Sequence, residues 1–492
     1  ARRAGPLLRM QRWVQRNPVP TLFLLAVSVA LLLITLLFFE SQRARNEYDR
    51  LAWVVKLERA VDGEQELYPA TPERAGLFEA WLREHGEPIE ASLPGLQATL
   101  AELEGRAVGS QGGRSKFEDE ALQFRYDSLR ELVAHAKAFA KEGHGVLARV
   151  RGHLAWIRKV EQVSERDHAA EWSEAIAQIK KSERYAGLEI APQTGLVPLG
   201  PDPRSGLQEF AQLRSGTIPA REEGTGKLLV GDGTGLVLVL LPGGRFWMGS
   251  QKDDPKKPNY DPRSRKPERP VQEVPLAPFF LSKYELTQGQ WERLSMGDNP
   301  SAFPAGKKVA GQRVTLVNPV EDVSWNDCHR LLRQYALDLP TEAQWEYACR
   351  AGSGLPWSTG REHESLRGSV NFADQCARRH GAGWSQIEDW PELDDGYTIH
   401  AEVDTLLPNA WGLYHMYGNV LEFCRDWYGL YSQARPRAGD GLREPAEGHK
   451  RITRGGSYDT SFKQARSAYR GGTAPDSRSG SLGLRPMRAL SR

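Results

Sequence analysis

Leu339–Gly352 reads LPTEAQWEYACRAG, and this stretch sets the reading of the C-terminal half. Thr341 is a good N-cap, Glu342 places a negative charge in the first helical turn, and Gly352 lies just past the end. A short helix is therefore predicted. Only two other helical signals flank it: Thr287–Leu294, stopped by Gly-Asp-Asn-Pro, and Ser324–Ala336, with Trp325, Cys328, Leu331, Leu332 and Tyr335 on one face. Upstream, Leu236–Leu241 (LVLVLL), then Pro242-Gly243-Gly244, then Arg245–Gly249 (RFWMG) read as two buried strands around a tight turn. Downstream the chain reads mostly as loop, with aromatic residues at close intervals. Residues 236–492 are thus predicted to form one domain held by long packed loops.

Further out, the texture changes twice. Residues 188–235 are rich in Pro and Gly and read as a connector, although Leu196, Val197, Leu199, Leu207 and Phe210 are apolar enough to pack on a neighbour. Residues 41–187 carry helical stripes, among them Leu122, Tyr126, Leu129, Val133, Ala136, Phe139 and then Leu147, Val150, Leu154, Ile157, Val160. Breaks are expected at Pro69–Pro72, Gly86–Pro88 and Gly109–Gly113, which predicts an antiparallel helical bundle or spacer. Thr21–Phe39 is nineteen residues without a charge. As a helix it is about 28 Å long, enough for a bilayer core, so residues 19–40 are predicted to span a membrane.

Charge orients that span. Arg2, Arg3, Arg9, Arg12 and Arg16 precede it with no acid among them, whereas acids and bases mix after it. The positive-inside rule then makes residues 1–18 a basic cytoplasmic stub in an inner or plasma membrane and residues 40–492 extracytoplasmic. The net charge of +2 gives no case for a nucleic-acid partner. Four cysteines are too few for a disulfide scaffold, but outside the cytoplasm at least one bridge among Cys328, Cys349, Cys376 and Cys424 is expected, the pairing left open. The chain begins with Ala, which fits a segment missing upstream.

Seven ordered segments resemble one family: LLPGGRFWMGS (240–250), FFLSKYELTQGQW (279–291), NPVEDVSWNDC (318–328), LPTEAQWEYACRAG (339–352), NAWGLYHMYGNVLEFCRDWY (409–428), RITRGGSYD (451–459) and LGLRP (482–486). They are similar, in order and over about half the chain, to the formylglycine-generating-enzyme or sulfatase-modifying-factor superfamily. The resemblance implies an α+β fold of the C-type-lectin type. The connector resembles proteins in which this domain follows a bacterial Ser/Thr kinase and one membrane helix, so an upstream kinase in the same polypeptide is expected. No HRD or DFG triplet occurs here, and kinase activity is not encoded in these residues.

The family's best-known activity oxidises a substrate cysteine with copper and O₂, on two cysteines that follow the RGGSY motif within about seven residues. Copper(I) prefers soft thiolates. Here RGGSY is Arg454–Tyr458, the first cysteine position is Thr460, and no cysteine follows Cys424. Copper and formylglycine-generating activity are therefore not expected, and no residue is assigned as catalytic. A second branch, the ergothioneine-type sulfoxide synthases, uses a non-haem iron on a helical bundle. His135, His144, His153 and His168 lack the spacing such a site needs.

Calcium is the metal the resemblance does imply. It points to Asn371, Phe372 (backbone), Asp395 and Tyr397 (backbone) for one site, and Asn419, Val420 (backbone) and Glu422 for a second. Hard oxygen ligands of this kind suit Ca²⁺. A groove lined by Ser457, Tyr458, Trp411, Trp427 and Arg485 is expected to bind a peptide, glycan or protein ligand. The function expected is a ligand-binding or sensor module of a receptor kinase. The alternatives are a diverged formylglycine-generating or other protein-modifying enzyme, and a lectin-like variable display protein presenting 459–481.

Overall fold

The computed structural model describes residues 5, 10–11, 13–14, 16, 18–445 and 448–491. The expected basic residues Arg2, Arg3, Arg9 and Arg12 lie outside them. Two compact units partition the chain: residues 1–66 with 79–150, and residues 67–78 with 151–492.

In the first unit α1 (Pro18–Glu64) is one helix of 47 residues. Its window Thr21–Phe38 has a mean hydropathy of 2.8 and no residue buried within the protein, so it is long and apolar enough to cross a membrane. The break expected at Gly86–Pro88 is absent. α2 (Ala75–Trp81) runs through a π-turn at Leu82–Gly86 into α3 (Glu87–Glu104). Pro88 lies just past the π-turn, so the helix runs on through a residue that has no N–H to donate. Gly86 serves packing: a Cβ there would stand 2.8 Å from Leu147 Cδ1.

The glycines at 109–113 build a hairpin instead of a plain break. β1 (Gly109–Gln111) pairs with β2 (Arg114–Lys116) across Gly112 and Gly113, both at positive φ. Asp119 caps α4 (Glu120–Ala140), which buries the predicted face Tyr126, Leu129, Val133, Ala136 and Phe139. At the start of α5 (Val146–Ile157), Arg149 makes a two-pronged ion pair with the buried Glu64, at 2.6 and 2.7 Å.

The second unit begins earlier than the sequence suggests. α6 (Ala169–Lys181) buries Trp172, Ala175 and Ile179. Trp172 stacks obliquely on Phe210, 5.5 Å between ring centroids, and the Tyr185 hydroxyl donates to the Leu240 carbonyl at 2.9 Å. The predicted 41–187 spacer is therefore divided between the two units. The predicted connector is likewise structural: β3 (Leu196–Pro201) and β4 (Gln208–Gln212) join an antiparallel sheet with β5 (Val237–Leu241), β8 (Phe279–Ser282) and β15 (Met487–Ala489) in the order β15-β8-β5-β4-β3. Leu196, Val197, Leu207 and Phe210 are buried there, while Gly200 and Gly206 take positive φ at the bulge and the turn.

The two strands around Pro242-Gly243-Gly244 do not pair with each other. β5 is wholly buried, but β6 (Gly244–Met248) is largely exposed and pairs with β7 (Gln272–Leu276). A short ribbon, β9 (Lys308–Val309) with β10 (Gln312–Arg313), precedes the later helices. The three predicted helices appear as α7 (Gln288–Ser295), α8 (Trp325–Gln334) and α9 (Glu342–Arg350). Each starts in a reciprocal capping box, from Thr287 with Gln290, Ser324 with Asp327, and Thr341 with Gln344. A five-residue helix, α10 (Gln375–Arg379), follows. A second sheet orders β11 (Leu421–Trp427), β12 (Arg451–Arg454), β13 (Gly471–Thr473) and β14 (Leu482–Gly483) as β13-β12-β11-β14, with β11 and β14 parallel. The architecture is α+β and loop-rich, as expected.

The expected disulfide is not present. Cys328, Cys349, Cys376 and Cys424 are free and buried. They sit on α8, α9, α10 and β11, each filling a separate place in the packing. Burial raises all four thiols, Cys349 to about 12, so none is a ready thiolate.

Candidate functional site

β12 ends at Arg454, and the chain turns through Gly455 and Gly456, both at positive φ, into the loop Ser457–Ala465. Gly456 has no room for a side chain. A Cβ there would meet Thr460 Oγ1 at 2.9 Å and Ala465 Cβ at 3.0 Å. Thr460 Oγ1 and Ala465 Cβ therefore both crowd one backbone point. The Thr460 hydroxyl is fully used: it accepts from the Ser457 N–H at 2.8 Å and donates to the Ser457 carbonyl at 3.0 Å. Ser457 Oγ donates to Asp459, and Ser461 Oγ to Asp389 at 2.6 Å. The loop is a closed set of hydroxyl and carboxylate contacts with no sulfur in it.

Arg454 anchors this loop from below. Its guanidinium donates to Glu342 at 3.1 Å, Glu346 at 2.7 Å, and the Ser467 and Tyr469 carbonyls at 2.8 Å each. Arg454, Glu342 and Glu346 are fully buried. Arg470 makes a second two-pronged pair with Glu342, at 2.6 and 2.7 Å, and Arg350 pairs with Glu346 at 2.8 Å. Burial works against the Arg454 charge, yet Glu342 and Glu346 together raise its pKa well above the usual value. Burial alone would raise Glu342; Arg470 and then Arg454 overcome it and hold the carboxyl below the ordinary range.

The expected groove residues do not converge on one open surface. Ser457, Tyr458 and Arg485 are core residues, at 0%, 6% and 0% exposure. The Tyr458 hydroxyl donates to the Gly480 carbonyl at 3.0 Å, and its ring packs with Val314 and Ile399. Arg485 donates to Glu422 at 2.7 and 3.0 Å and to the Tyr414 and Ser282 carbonyls. Trp411 is half-buried edge-on against Tyr347 at 4.7 Å. Trp427 is half-buried with one face covered by the Arg451 guanidinium at 3.4 Å, whose other side meets Trp325 at 3.5 Å. In a fold with so much loop, arginines and aromatics are consumed in satisfying buried carbonyls and carboxylates.

The two sets of oxygen-bearing residues are contiguous. Asn371 Nδ2 donates to Asn419 Oδ1 at 3.1 Å and to the Ile399 carbonyl, while its Oδ1 is buried without a hydrogen-bond partner. Asp395 accepts from the backbone N–H groups of Phe372 at 2.8 Å and Tyr397 at 3.0 Å, and lies beside Asp374. Burial and then Asp374 push the Asp395 carboxyl well above the usual range. Asn419 Oδ1 also accepts from the Ala401 N–H at 2.7 Å. Glu422 is spent on Arg485 and on the Trp345 indole N–H at 2.7 Å. The sequence reading passed over Glu285, which accepts from Asn419 Nδ2 at 2.5 Å and the Val420 N–H at 3.1 Å. Its signal was an acid flanked by Tyr284 and Leu286 in the run FFLSKYEL. It equally passed over Glu342 and Glu346 as the partners of Arg454.

Residues 233–490 match the family described as sulfatase-modifying factor enzyme 1-like domain. The formylglycine-generating enzyme of Thermomonospora curvata is 27% identical over 296 residues, covering 50% of this chain and 92% of that one. The mouse protein named inactive C-alpha-formylglycine-generating enzyme 2 is 27% identical over 308 residues, covering 53% of this chain and 88% of it. The serine/threonine-protein kinase pkn1 of Chlamydia pneumoniae is 27% identical over 266 residues, covering 50% of this chain but 37% of the kinase. With its matched segment spanning more than half its length, the chain belongs to the sulfatase-modifying factor enzyme 1-like family.

Proposed function

We propose that this chain is a membrane-anchored, extracytoplasmic member of the family that binds a peptide, glycan or protein ligand and performs no formylglycine-generating oxidation. The observation that carries the reading is the pairing of Thr460 with Ala465 across Gly456. The resemblance puts the two copper-binding cysteines of active members at this loop. A hydroxyl already bonded twice and a methyl group offer no soft ligand. The residues present do not fit copper, and no step runs through it. The anchor reading is supported by the apolar window Thr21–Phe38, and the orientation by the arginine-rich sequence before it. The match to a Chlamydia kinase over the same domain supports a place in a receptor kinase as its sensing half.

For calcium we infer one site. The first set fits a hard cation, because Asn371 Oδ1 is buried with no donor to satisfy it and Asp395 stands close by. The second set does not fit, because a guanidinium and an indole N–H already occupy Glu422. Protease treatment of intact cells and of inverted vesicles tests the orientation. Cleavage of residues 67–492 in the first preparation and protection in the second agree with the proposal, and the reverse pattern contradicts it. A screen of peptides and glycans for a saturable rise in melting temperature of the detergent-solubilised chain tests ligand binding.

A further inference from the structure

A cavity of about 290 Å³ lies within the second unit, away from the Arg454 loop. It is walled by the segment Ala70–Glu73, Trp156, the turn before β3, the end of β4, the C-terminal end of α8, and β15. Two arginines from distant parts of the chain line it, Arg214 just after β4 and Arg488 on β15. Both are half-buried, and neither forms an ion pair with any described carboxylate, unlike Arg350, Arg454, Arg470 and Arg485.

Among the described residues Arg488 has no side-chain hydrogen-bond partner, and loss of water around it pulls its guanidinium down to about 10. Arg214 has only neutral company. It donates to His153 Nδ1 at 2.6 Å and lies over the rings of Tyr335 at 4.9 Å and Trp156 at 5.6 Å. Burial lowers it as well. The one carboxylate in the wall, Glu73, is solvent-exposed. On the opposite requirement, Gln334 lines the same cavity at 7% exposure, and its Oε1 has no donor.

Desolvated charge without a counter-charge is costly, and so is a buried acceptor without a donor. Both costs are relieved by one kind of occupant: an anion that also carries an O–H. A carboxylate supplies the charge but no donor. Hydrogen phosphate supplies both, a phosphate monoester does so in its singly ionised form, and the oxygens of either match the planar fork of arginine. We propose that this cavity is a binding site for a small phosphate or phosphate monoester, held by Arg214 and Arg488 and donating its O–H to Gln334 Oε1. The volume suits an occupant at the small end of the range of ligand sites.

The test is thermal unfolding and calorimetry of the full chain in detergent at low salt, with inorganic phosphate, glycerol 3-phosphate and succinate as three separate probes. A saturable rise in melting temperature with phosphate or glycerol 3-phosphate, exceeding that with succinate, is expected. Response to inorganic phosphate alone identifies the free ion as the ligand, and a stronger response to glycerol 3-phosphate identifies a monoester. Arg488→Gln is expected to weaken binding at least tenfold while leaving the phosphate-free melting temperature unchanged or higher, since it removes a half-buried charge that has no acidic partner among the described residues. Arg488→Lys keeps the charge without the fork and serves where the glutamine variant does not fold; it too should weaken binding. No saturable response up to about 10 mM phosphate or glycerol 3-phosphate, a response led by succinate, or wild-type binding in these variants overturns the proposal.

Discussion

Replacing Arg454 by methionine separates a structural from a chemical role for the arginine of the RGGSY motif. The substitution keeps an unbranched side chain of similar reach but removes four donated hydrogen bonds, to Glu342, Glu346 and the Ser467 and Tyr469 carbonyls. The two carboxylates are not fully orphaned, because Arg470 and Arg350 stay in place. The two carbonyls lose the guanidinium. Breaking a buried ion pair from one side costs about 3–5 kcal/mol, and the remaining arginines keep the value from the upper end, so we expect a loss of about 4 kcal/mol. For a domain of this size that is a fall of about 8–16 °C in melting temperature. Urea unfolding followed by tryptophan fluorescence on the detergent-solubilised chain measures it. Arg454→Lys, which keeps the charge but loses the fork, should fall in between. A loss under about 1 kcal/mol for Arg454→Met refutes the claim that this network holds the loop.

Three further outcomes follow from the same geometry. His415 is fully buried, and burial followed by Arg485 lowers its pKa from 6.5 to about 3, the nearby backbone of Glu402 and Thr405 offsetting only part of this. Its depressed folded pKa means that the unfolded chain binds the proton first as pH falls below 6.5, so stability drops; between pH 7 and 4.5 the loss from this group is about 2.5 kcal/mol. His415→Leu should show that much less acid sensitivity in urea unfolding, and an unchanged pH profile contradicts the assignment. Thr460→Cys combined with Ala465→Cys puts two thiols around Gly456 and should gain one equivalent of Cu(I) in a chelator competition, with neither single variant doing so. A thiol titration of the native chain with a bulky disulfide reagent should report none of the four cysteines until denaturant is added; rapid reaction of two or more contradicts their burial.

What the sequence made legible was local. Thr287, Ser324 and Thr341 announce their helices because a cap and its partner lie three residues apart, and all three helices stand where expected. The stripe on α4 is legible for the same reason, since its period belongs to a single element. Pairings between distant segments were not legible. β3 and β4 hide in a Pro- and Gly-rich stretch because their strand character depends on β5, which follows them. β6 looked like the partner of β5, yet its partner β7 is set by the long intervening loop.

The same limit governs the site. That residue 460 is threonine is plain from the sequence, whereas its closeness to Ala465 comes from two glycines in the left-handed region. Arg485 read as a binding residue because peptide- and glycan-binding surfaces favour aromatic residues and arginine. Its burial is decided by Glu422 and by the carbonyls of Tyr414 and Ser282, which no local pattern places beside it. Arg214 and Arg488 gave no signal for the reverse reason: what marks them is the absence of an acidic partner among the described residues, and that appears only once every neighbour is in place.

The most direct measurement of the central claim is Cu(I) stoichiometry on the purified chain together with mass spectrometry of a cysteine-containing peptide incubated with it in air. With a hydroxyl and a methyl group at the loop, the account predicts no tightly held copper and an unchanged peptide. One equivalent of Cu(I) bound, or a peptide mass corresponding to the aldehyde, contradicts it.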